Sequence, residues 1–226
     1  MADRSKLWYL ENFNLLEGLS KDEMMHIHDT TVMMNAKKGQ YIYFPEDPSR
    51  SLFFLKEGRI KIGNTSEDGR ENILTILQPG EVFGELALTG EGQREDYAQA
   101  MDEGVVICAM GIDDMETLME RSTKMGLRLT KLIGFRMRKI ERKLKALIFK
   151  DARTRIIDFI REMAEEIGRP AGDEVLIRHS LTHQEIANLT ASSRQTVTTV
   201  LNELRADNII NFERKRIIVR DVRKLK

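Results

Sequence analysis

Cysteine is nearly absent, since Cys108 is the single cysteine among 226 residues. One thiol cannot form a disulfide within the chain, and it cannot supply the four cysteines of a structural zinc or iron–sulfur site. We therefore expect a reducing environment and a cytoplasmic protein. The sequence also lacks a recognisable grouping of nucleophile, base and acid, so we predict no catalytic residues, no enzymatic activity and no bound metal.

Long hydrophobic runs are missing as well. No stretch approaches the ~20 apolar residues that a membrane-spanning helix needs. The first ten residues, MADRSKLWYL, contain no apolar signal core. We therefore expect no membrane segment. With 41% hydrophobic and 32% charged residues, the chain can form a core and a solvated surface, and its length fits one or two ordinary domains.

Net charge is absent, because 36 Lys and Arg residues balance 36 Asp and Glu residues, but the charges are unevenly distributed. Residues 1–120 carry 11 positive and 23 negative side chains, residues 121–150 carry 11 and one, and residues 151–226 carry 14 and 12. From Val175 onward the count is 10 against 5. We interpret residues 121–150 as a solvated basic helix, whereas the basic C-terminal segment allows a nucleic-acid partner.

Residues 39–110 have the pattern of β structure. Short apolar runs are separated by turn residues, namely GQYIYF, SLFFL, RIKIG, NILTIL and VVICAM. The segment Lys56-Glu57-Gly58 predicts a tight hairpin in which Gly58 takes a positive φ. Further turns are expected around Gly69 and Gly80. Several short strands at this spacing predict a barrel or a sandwich.

Residues 113–150 have the pattern of a long helix. Apolar residues recur at intervals of seven, at Ile133, Ile140 and Leu147 and again at Met137 and Leu144. Such a seam fits either an amphipathic helix packed on the chain's own β domain or a coiled coil between two copies. We favour the coiled coil, because the helix is long and its other faces are strongly basic. Another amphipathic helix is predicted at 153–167, with a stop at 168–172.

Residues 181–219 contain two consecutive helix-start signals. Thr182 with Glu185 predicts one capping box, and Ser192 with Gln195 predicts a second. The two helices, at about 183–189 and about 193–205, are separated by so few residues that the chain must turn sharply. Their apolar residues predict a shared core formed by Ile186, Ala187, Leu189, Val197, Val200, Leu201 and Leu204. Two short strands flank the basic turn Glu213-Arg214-Lys215, which completes the pattern of a winged helix-turn-helix.

The exposed face of the second helix is polar. It begins Ser193-Arg194-Gln195-Thr196 and continues with Thr198-Thr199. Arg can bond guanine and Gln can bond adenine in a bidentate manner, while hydroxyl groups near a helix N-terminus suit phosphate oxygens. Ordinary capping would also explain these residue types. The two helix starts, the short turn, the polar face and the basic wing together favour DNA binding.

These segments resemble the CRP/FNR family of bacterial transcription regulators over nearly the whole chain. The matching stretches are Gly58-Arg59-Ile60, residues 79–88, the long helix that ends near Asp151, and residues 181–219. The resemblance implies an α+β fold with a double-stranded β-helix, or β-roll, effector domain at 1–120, a dimerisation helix at 121–150 and a winged helix-turn-helix at 151–226. It further implies a homodimer on near-palindromic double-stranded DNA, with RNA polymerase as a partner.

The resemblance also assigns roles within the helix-turn-helix. Arg194 and Gln195 would contact bases, with Thr199 as a third candidate. The residues implied to hold phosphates are Thr182, Gln184, Ser193, Thr196 and Lys215. Ala191 stands where members often have Gly, and a left-handed conformation there would cost ~1 kcal/mol.

The same resemblance implies an effector site. Its residues would be Gly84, Glu85, Leu86, Ala87 and Arg94. In cAMP-binding members the motif Gly-Glu-Leu is followed by an Arg-Ser or Arg-Thr pair that holds the cyclic phosphate. Here Arg94 is followed by Glu95 and Asp96, whose charges would repel a phosphate.

A second departure lies in the long helix, where Ile140 and Glu141 replace the Thr-Ser pair that contacts adenine. We therefore disfavour cAMP and assign no certain cofactor. Three possibilities stay open: another small effector, activity without an effector, or a motif that forms only a turn and an internal ion pair. Two rival functions also stay open. The chain could be a cyclic-nucleotide-binding module that acts on a protein partner, or an interaction protein that uses its helix pair and wing for docking.

Gln195 leads to a prediction about the DNA sequence. Members that read a G/C-rich half-site usually carry Glu at this position and Arg where this chain has Thr199. Because Gln both donates and accepts hydrogen bonds whereas ionised Glu only accepts, we expect adenine where Glu-bearing members select cytosine. Footprinting of bound DNA checks this, and protection of the unaltered Glu-type half-site would contradict it.

Overall fold

The computed structural model describes residues 15, 16, 19–90, 92–179, 181–213 and 215–225. The chain divides into two compact units, Met1–Met137 and Arg138–Lys226, and the boundary falls inside a long helix.

The N-terminal unit is mainly β structure. Helix α1 (Lys21–Thr30) starts at a capping box formed by Ser20 and Glu23. The strands that follow are β1 (Thr31–Ala36), β2 (Tyr41–Tyr43), β3 (Ser51–Glu57), β4 (Ile60–Thr65), β5 (Glu71–Leu77), β6 (Val82–Phe83), β7 (Tyr97–Ala100) and β8 (Val105–Gly111). Among the described residues they form two antiparallel sheets, in the orders β1-β8-β3-β6 and β2-β7-β4-β5. The predicted β-roll is confirmed.

The predicted hairpin at Gly58 is also present. Gly58 has a φ of 75°, and a Cβ atom there would lie 2.7 Å from Cγ2 of Val105. Both the turn and the neighbouring strand therefore require glycine. The prediction began the β structure too late, because β1 precedes residue 39. Four consecutive residues of β1 are exposed, so the strand lacks the alternation by which sequence reveals a half-buried strand.

The long helical region consists of two helices. Helix α2 (Ile112–Arg121) ends at Ser122, and α3 (Thr123–Phe149) continues from there. The helical pattern noted over 113–150 therefore spans both helices, and the break between them lies near the start of the dimerisation helix expected at 121–150. In α3, Met125 and Leu129 are buried in the core of the N-terminal unit.

The heptad residues further along α3 are exposed in the single chain. We call them the α3 seam: Ile133, Met137, Ile140, Leu144 and Leu147. Met137, Ile140 and Leu144 are 60%, 67% and 56% exposed. This exposure fits the coiled-coil interpretation, whereas Met125 and Leu129 near the start of α3 pack on the N-terminal unit. A stripe of large apolar side chains at coiled-coil spacing has no cover within the described residues of one chain.

The C-terminal unit contains α4 (Ala152–Ile167), α5 (His183–Leu189) and α6 (Arg194–Ala206). Its strands are β9 (Arg169–Ala171), β10 (Glu174–Arg178), β11 (Ile210–Glu213) and β12 (Arg216–Val219), in the sheet order β11-β12-β10-β9. Residues from all three helices meet β10, β11 and β12 in one hydrophobic core. The sequence predicted only a helix stop at 168–172, yet Pro170 lies in the edge strand β9, where a missing amide donor is tolerated.

The helix-turn-helix agrees with the prediction except at the second cap. Thr182 and Glu185 form the expected capping box of α5. The predicted box of Ser192 and Gln195 is wrong, because Ser193 caps α6 and accepts a hydrogen bond from the Thr196 amide at 3.0 Å. Ser192 instead bonds the Thr190 hydroxyl at 2.9 Å. Leu189, which was predicted to be core, is only half-buried.

Two ion pairs within the C-terminal unit link α3 and the residue after it to α4. Lys150 bonds Asp158 at 2.6 Å, and Lys139 lies 3.6 Å from Glu166. The Asp151 carboxylate caps α4 by accepting from the Thr154 amide at 2.7 Å. Across the described part of the chain, no helix is both long enough and apolar enough to traverse a lipid bilayer.

Ala191 adopts a left-handed conformation with a φ of 48°. Because a Cβ atom disfavours this region, we expect Ala191→Gly to raise the free energy of unfolding of the C-terminal unit by about 0.5–1 kcal/mol. Denaturant unfolding followed by circular dichroism measures the change. Ala206→Gly, the same substitution at an exposed helical residue, should be destabilising. An Ala191→Gly variant that loses as much stability as Ala206→Gly would contradict this account.

Candidate nucleic-acid interface and effector site

Helices α5 and α6 are fixed to each other and to the wing. The His183 ring bonds the Thr198 hydroxyl at 2.9 Å, and that hydroxyl also donates to the Arg194 carbonyl at 2.9 Å. At the other end of α6, the Arg205 guanidinium lies 4.8 Å from the centre of the Phe212 ring on β11. Together with the apolar core, these contacts hold the outer face of α6 in a defined orientation.

The outer face of α6 presents Arg194, Gln195 and Thr199, which are all exposed. Within the described residues, none of the three side chains forms a hydrogen bond or an ion pair. Since Ser193 rather than Ser192 caps the helix, Gln195 is not used in a capping box. The amide group of Gln195 and the guanidinium of Arg194 are therefore available to an external hydrogen-bonding partner.

The residues predicted to hold phosphates surround this face. The hydroxyls of Thr182 and Ser193 cap α5 and α6, respectively, and the Thr196 hydroxyl bonds that of Ser193 at 2.8 Å. Gln184 is exposed and donates to Asn188 at 2.8 Å. Lys215 is exposed in the turn between β11 and β12 and has a φ of 69°.

Several basic residues of the wing region are neutralised by acidic neighbours. Arg216 bonds Glu213 at 2.6 Å, and Arg223 bonds Asp221 at 3.0 Å. Arg194 and Lys215 have no such partner in the described part of the chain. Positive charge that is not already paired is therefore available at the start of α6 and at the tip of the wing. Arg214 lies outside the described residues.

The candidate effector residues lie at a turn in the N-terminal unit. Gly84 has a φ of 75° and precedes a short 3-10 helix, Glu85–Thr89. Leu86 is exposed and Ala87 is buried. The Glu85 carboxylate forms an ion pair with Arg136 of α3, and Arg136 also donates to the Val82 carbonyl. Glu85 is therefore already neutralised by a cation, which matches the internal ion pair considered from the sequence.

Arg94 is buried and points into the roll. Its guanidinium donates to the carbonyls of Ser51, at 2.6 Å, and Gly84, at 3.3 Å. Its central carbon lies 4.4 Å from the centre of the Tyr43 ring. A Cβ atom at Gly84 would lie 2.9 Å from Nη1 of Arg94. Two of the five guanidinium N–H donors are thus directed at backbone oxygens, and Nε is buried without a partner among the described residues.

Asp96 adds negative charge beside Arg94. Burial raises the pKa of Asp96, and the negative charge of Glu85 raises it further, whereas a hydrogen bond from Tyr43 and the charge of Arg94 lower it. The same burial raises the pKa of Tyr43. Asp96 is therefore a carboxyl group beside Arg94 that is costly to ionise.

The partners of Glu85 and Arg94 could not be predicted from the sequence. Arg136 was counted among the residues of a solvated basic helix, and Tyr43 was considered only as part of a strand. Both come from segments distant in sequence from residues 84–96. No spacing rule links them, because only the folded sheets bring them together.

Comparison with known proteins agrees with this architecture. The family model for a cyclic nucleotide-binding domain matches residues 33–122, and that for a Crp-like helix-turn-helix domain matches residues 154–226. The chain is 30% identical over 216 residues to the CRP-like cAMP-activated global transcriptional regulator of Mycobacterium tuberculosis, with 96% of each chain covered. It is also 30% identical over 184 residues to the global nitrogen regulator of a Synechocystis strain, with 80% of this chain and 81% of that protein covered.

Solved structures support the fold. A CooA variant from Carboxydothermus hydrogenoformans matches with a TM-score of 0.80 at 23% identity, covering 98% of this chain and 94% of that chain. A roll-like effector domain, a long helix and a winged helix-turn-helix define a class of DNA-binding transcription regulators. The chain belongs to the CRP/FNR family of that class, so the resemblance inferred from sequence is confirmed.

The position of Asp96 leads to a prediction about pH. Because the pKa of Asp96 is higher in the folded than in the unfolded chain, its ionisation reduces stability as the pH rises from about 4 through the folded pKa. Asp96→Asn removes this loss. The variant should therefore gain stability relative to the wild type as the pH increases over that interval.

Urea unfolding at a series of pH values tests this prediction. Tyr41, Tyr43 and Tyr97 lie in the N-terminal unit, whereas residues 138–226 contain no Trp or Tyr, so intrinsic fluorescence does not report on the C-terminal unit. Glu95→Gln, the same change at the exposed neighbour, is the matched control. An Asp96→Asn difference that is flat or decreases with pH would show that the carboxyl is not destabilised by burial.

Proposed function

We propose that this regulator acts as a homodimer joined through the α3 seam and that it binds a near-palindromic DNA site. The observation that carries the proposal is the joint exposure of an apolar coiled-coil face on α3 and of the Arg194–Gln195 face on α6. A twofold axis along α3 would present two α6 helices to successive major grooves, ~34 Å apart.

Each candidate residue then has a role. Arg194 donates to guanine O6 and N7, and Gln195 forms a bidentate pair with adenine. Thr199 lies one helical turn beyond Gln195 and approaches the neighbouring base. The residues Thr182, Gln184, Ser193, Thr196 and Lys215 contact phosphates. We also propose RNA polymerase as a partner of the bound dimer, as the resemblance to the family implies.

The β-roll is proposed to bind a small effector of a class other than cyclic nucleotides. The match to a cyclic nucleotide-binding domain supports a ligand-binding role for the roll, and the Mycobacterium tuberculosis relative is named as cAMP-activated. In this chain, however, Arg94 bonds two backbone carbonyls, Glu85 is paired with Arg136, and the Asp96 carboxyl lies beside Arg94. These contacts support an effector without an anionic phosphate.

Selection from a randomised duplex library, with and without cAMP, tests the proposed function. The wild type should recover a near-palindromic site, and cAMP should change neither the site nor the affinity. On that site, Arg194→Ala should weaken binding by about 10–100-fold, as expected when a bidentate base contact is lost. Gln195→Glu should instead alter the selected base at one position of each half-site.

Arg223→Ala is the matched control for Arg194→Ala. It removes the same charge from the same unit, but at a residue outside the helix pair and wing that is already bonded to Asp221. The control should bind within about threefold of the wild type. If Arg194→Ala and Arg223→Ala bind equally well, α6 is not the reading helix. If cAMP is required for selection, the proposal for the roll is wrong.

A further inference from the structure

Arg155 connects three places in the C-terminal unit. It lies in the first turn of α4, directly after the α3–α4 junction, and its side chain is half-buried. Its guanidinium donates to the carbonyl of Lys150 at 2.8 Å, to that of Thr190 at 2.9 Å and to that of Ala191 at 2.7 Å. Lys150 follows the last residue of α3, and Thr190 and Ala191 form the turn between α5 and α6.

These three hydrogen bonds need an arginine. The donors of a guanidinium lie in a rigid planar fork and can reach several acceptors at once, whereas the ammonium of Lys is a single point of charge. All three acceptors are backbone oxygens. The contact is therefore independent of the side chains at positions 150, 190 and 191 and depends on Arg155 alone.

The turn held by Arg155 determines where α6 begins. Ala191 lies three residues before Arg194, and its left-handed conformation sets the direction in which the chain enters α6. Arg153, which lies with Arg155 in the first turn of α4, is 3.3 Å from Glu203 on α6. The start of α4 is thus bonded both to the turn before α6 and to α6 itself.

We propose that Arg155 is a positioning residue that fixes the angle between α6, the proposed DNA-recognition helix, and the end of α3. Through this angle, Arg155 sets the half-site spacing that the dimer accepts. The proposal rests on the homodimeric DNA binding proposed above. The core of the C-terminal unit holds α5 and α6 together without Arg155. What Arg155 adds is the bond from the α5–α6 turn to the Lys150 carbonyl, where α3 has just ended.

The test measures affinity for duplexes that carry two selected half-sites at different spacings, and for a duplex with one half-site. Arg155→Lys keeps the charge but cannot reproduce the fork, and Arg155→Gln removes both. The measured quantity is the ratio of two affinities of the full-length protein: that for the duplex with the best spacing, and that for a duplex whose spacing is changed by half a turn of DNA. For either variant, this ratio should fall by about tenfold. Affinity for the single half-site should stay within about threefold, because the outer face of α6 is unchanged.

Arg161→Gln is the matched control. Arg161 is on the same helix and bonds Asp158 at 2.8 Å and the Leu225 carbonyl at 3.0 Å, and among the described residues it forms no hydrogen bond to the α5–α6 turn. Its substitution should lower the thermal stability but keep the spacing preference. If Arg155→Gln fails to fold, Arg155→Lys decides the question.

The outcomes separate the two proposals. An Arg155 variant that folds and keeps the wild-type spacing preference overturns the positioning role. If the affinities for the single half-site and for the paired half-sites fall equally, Arg155 contributes to stability alone, and the positioning role is again overturned. A wild type that selects no paired half-sites would instead contradict the proposed dimeric function.

Discussion

The proposed function of this regulator depends on one constraint. A single chain leaves an apolar stripe of α3 exposed to water. The α3 seam has five large side chains at coiled-coil spacing, and a twofold partner would bring five more. Each is about half covered already, so further burial would contribute roughly 1 kcal/mol per side chain. The ten side chains of the two seams together would contribute a free energy comparable to the roughly 4–15 kcal/mol that association costs. Each seam position therefore matters to the dimer.

The same helix connects the functions of the two units. Near its start, Met125 and Leu129 are buried in the N-terminal core, and Arg136 pairs with Glu85 at the candidate effector turn. At its end, the chain passes Asp151 and Arg155 into the winged helix-turn-helix. An effector that altered the Glu85–Arg136 pair would act on the helix whose other end carries the DNA-reading domain. Such an effector would shift a balance between existing arrangements rather than create a new one.

Sequence predicted the features that local chemistry determines. The heptad residues of α3, the capping box at Thr182 and the positive φ of Gly58 each follow from a few neighbouring residues, and all are present in the structure. The errors arose where two local solutions compete. Ser192 and Ser193 are both good helix caps, and only the packing of the α5–α6 turn selects Ser193. Strand β1 carries no alternating pattern, because most of it is exposed.

The candidate sites were predicted only in part. The exposed face with Arg194 and Gln195 was readable, because helical periodicity separates it from the buried Val197 and Val200. The partners of Glu85 and Arg94 were not readable, since Arg136, Tyr43 and the Ser51 carbonyl reach them through tertiary structure. The role of Arg155 could not be predicted from the sequence either, because its acceptors are backbone oxygens, which every residue type has.

Sedimentation equilibrium over a wide concentration range tests the central claim most directly. The wild type should have twice the 26.1 kDa mass of one chain, and Ile140→Glu, which places a charge in the seam, should have the mass of one chain. Phe135→Glu, at an exposed position on the opposite side of α3, should remain dimeric. A wild type that stays at 26.1 kDa, or an Ile140→Glu variant that dimerises as well as Phe135→Glu, would contradict the account.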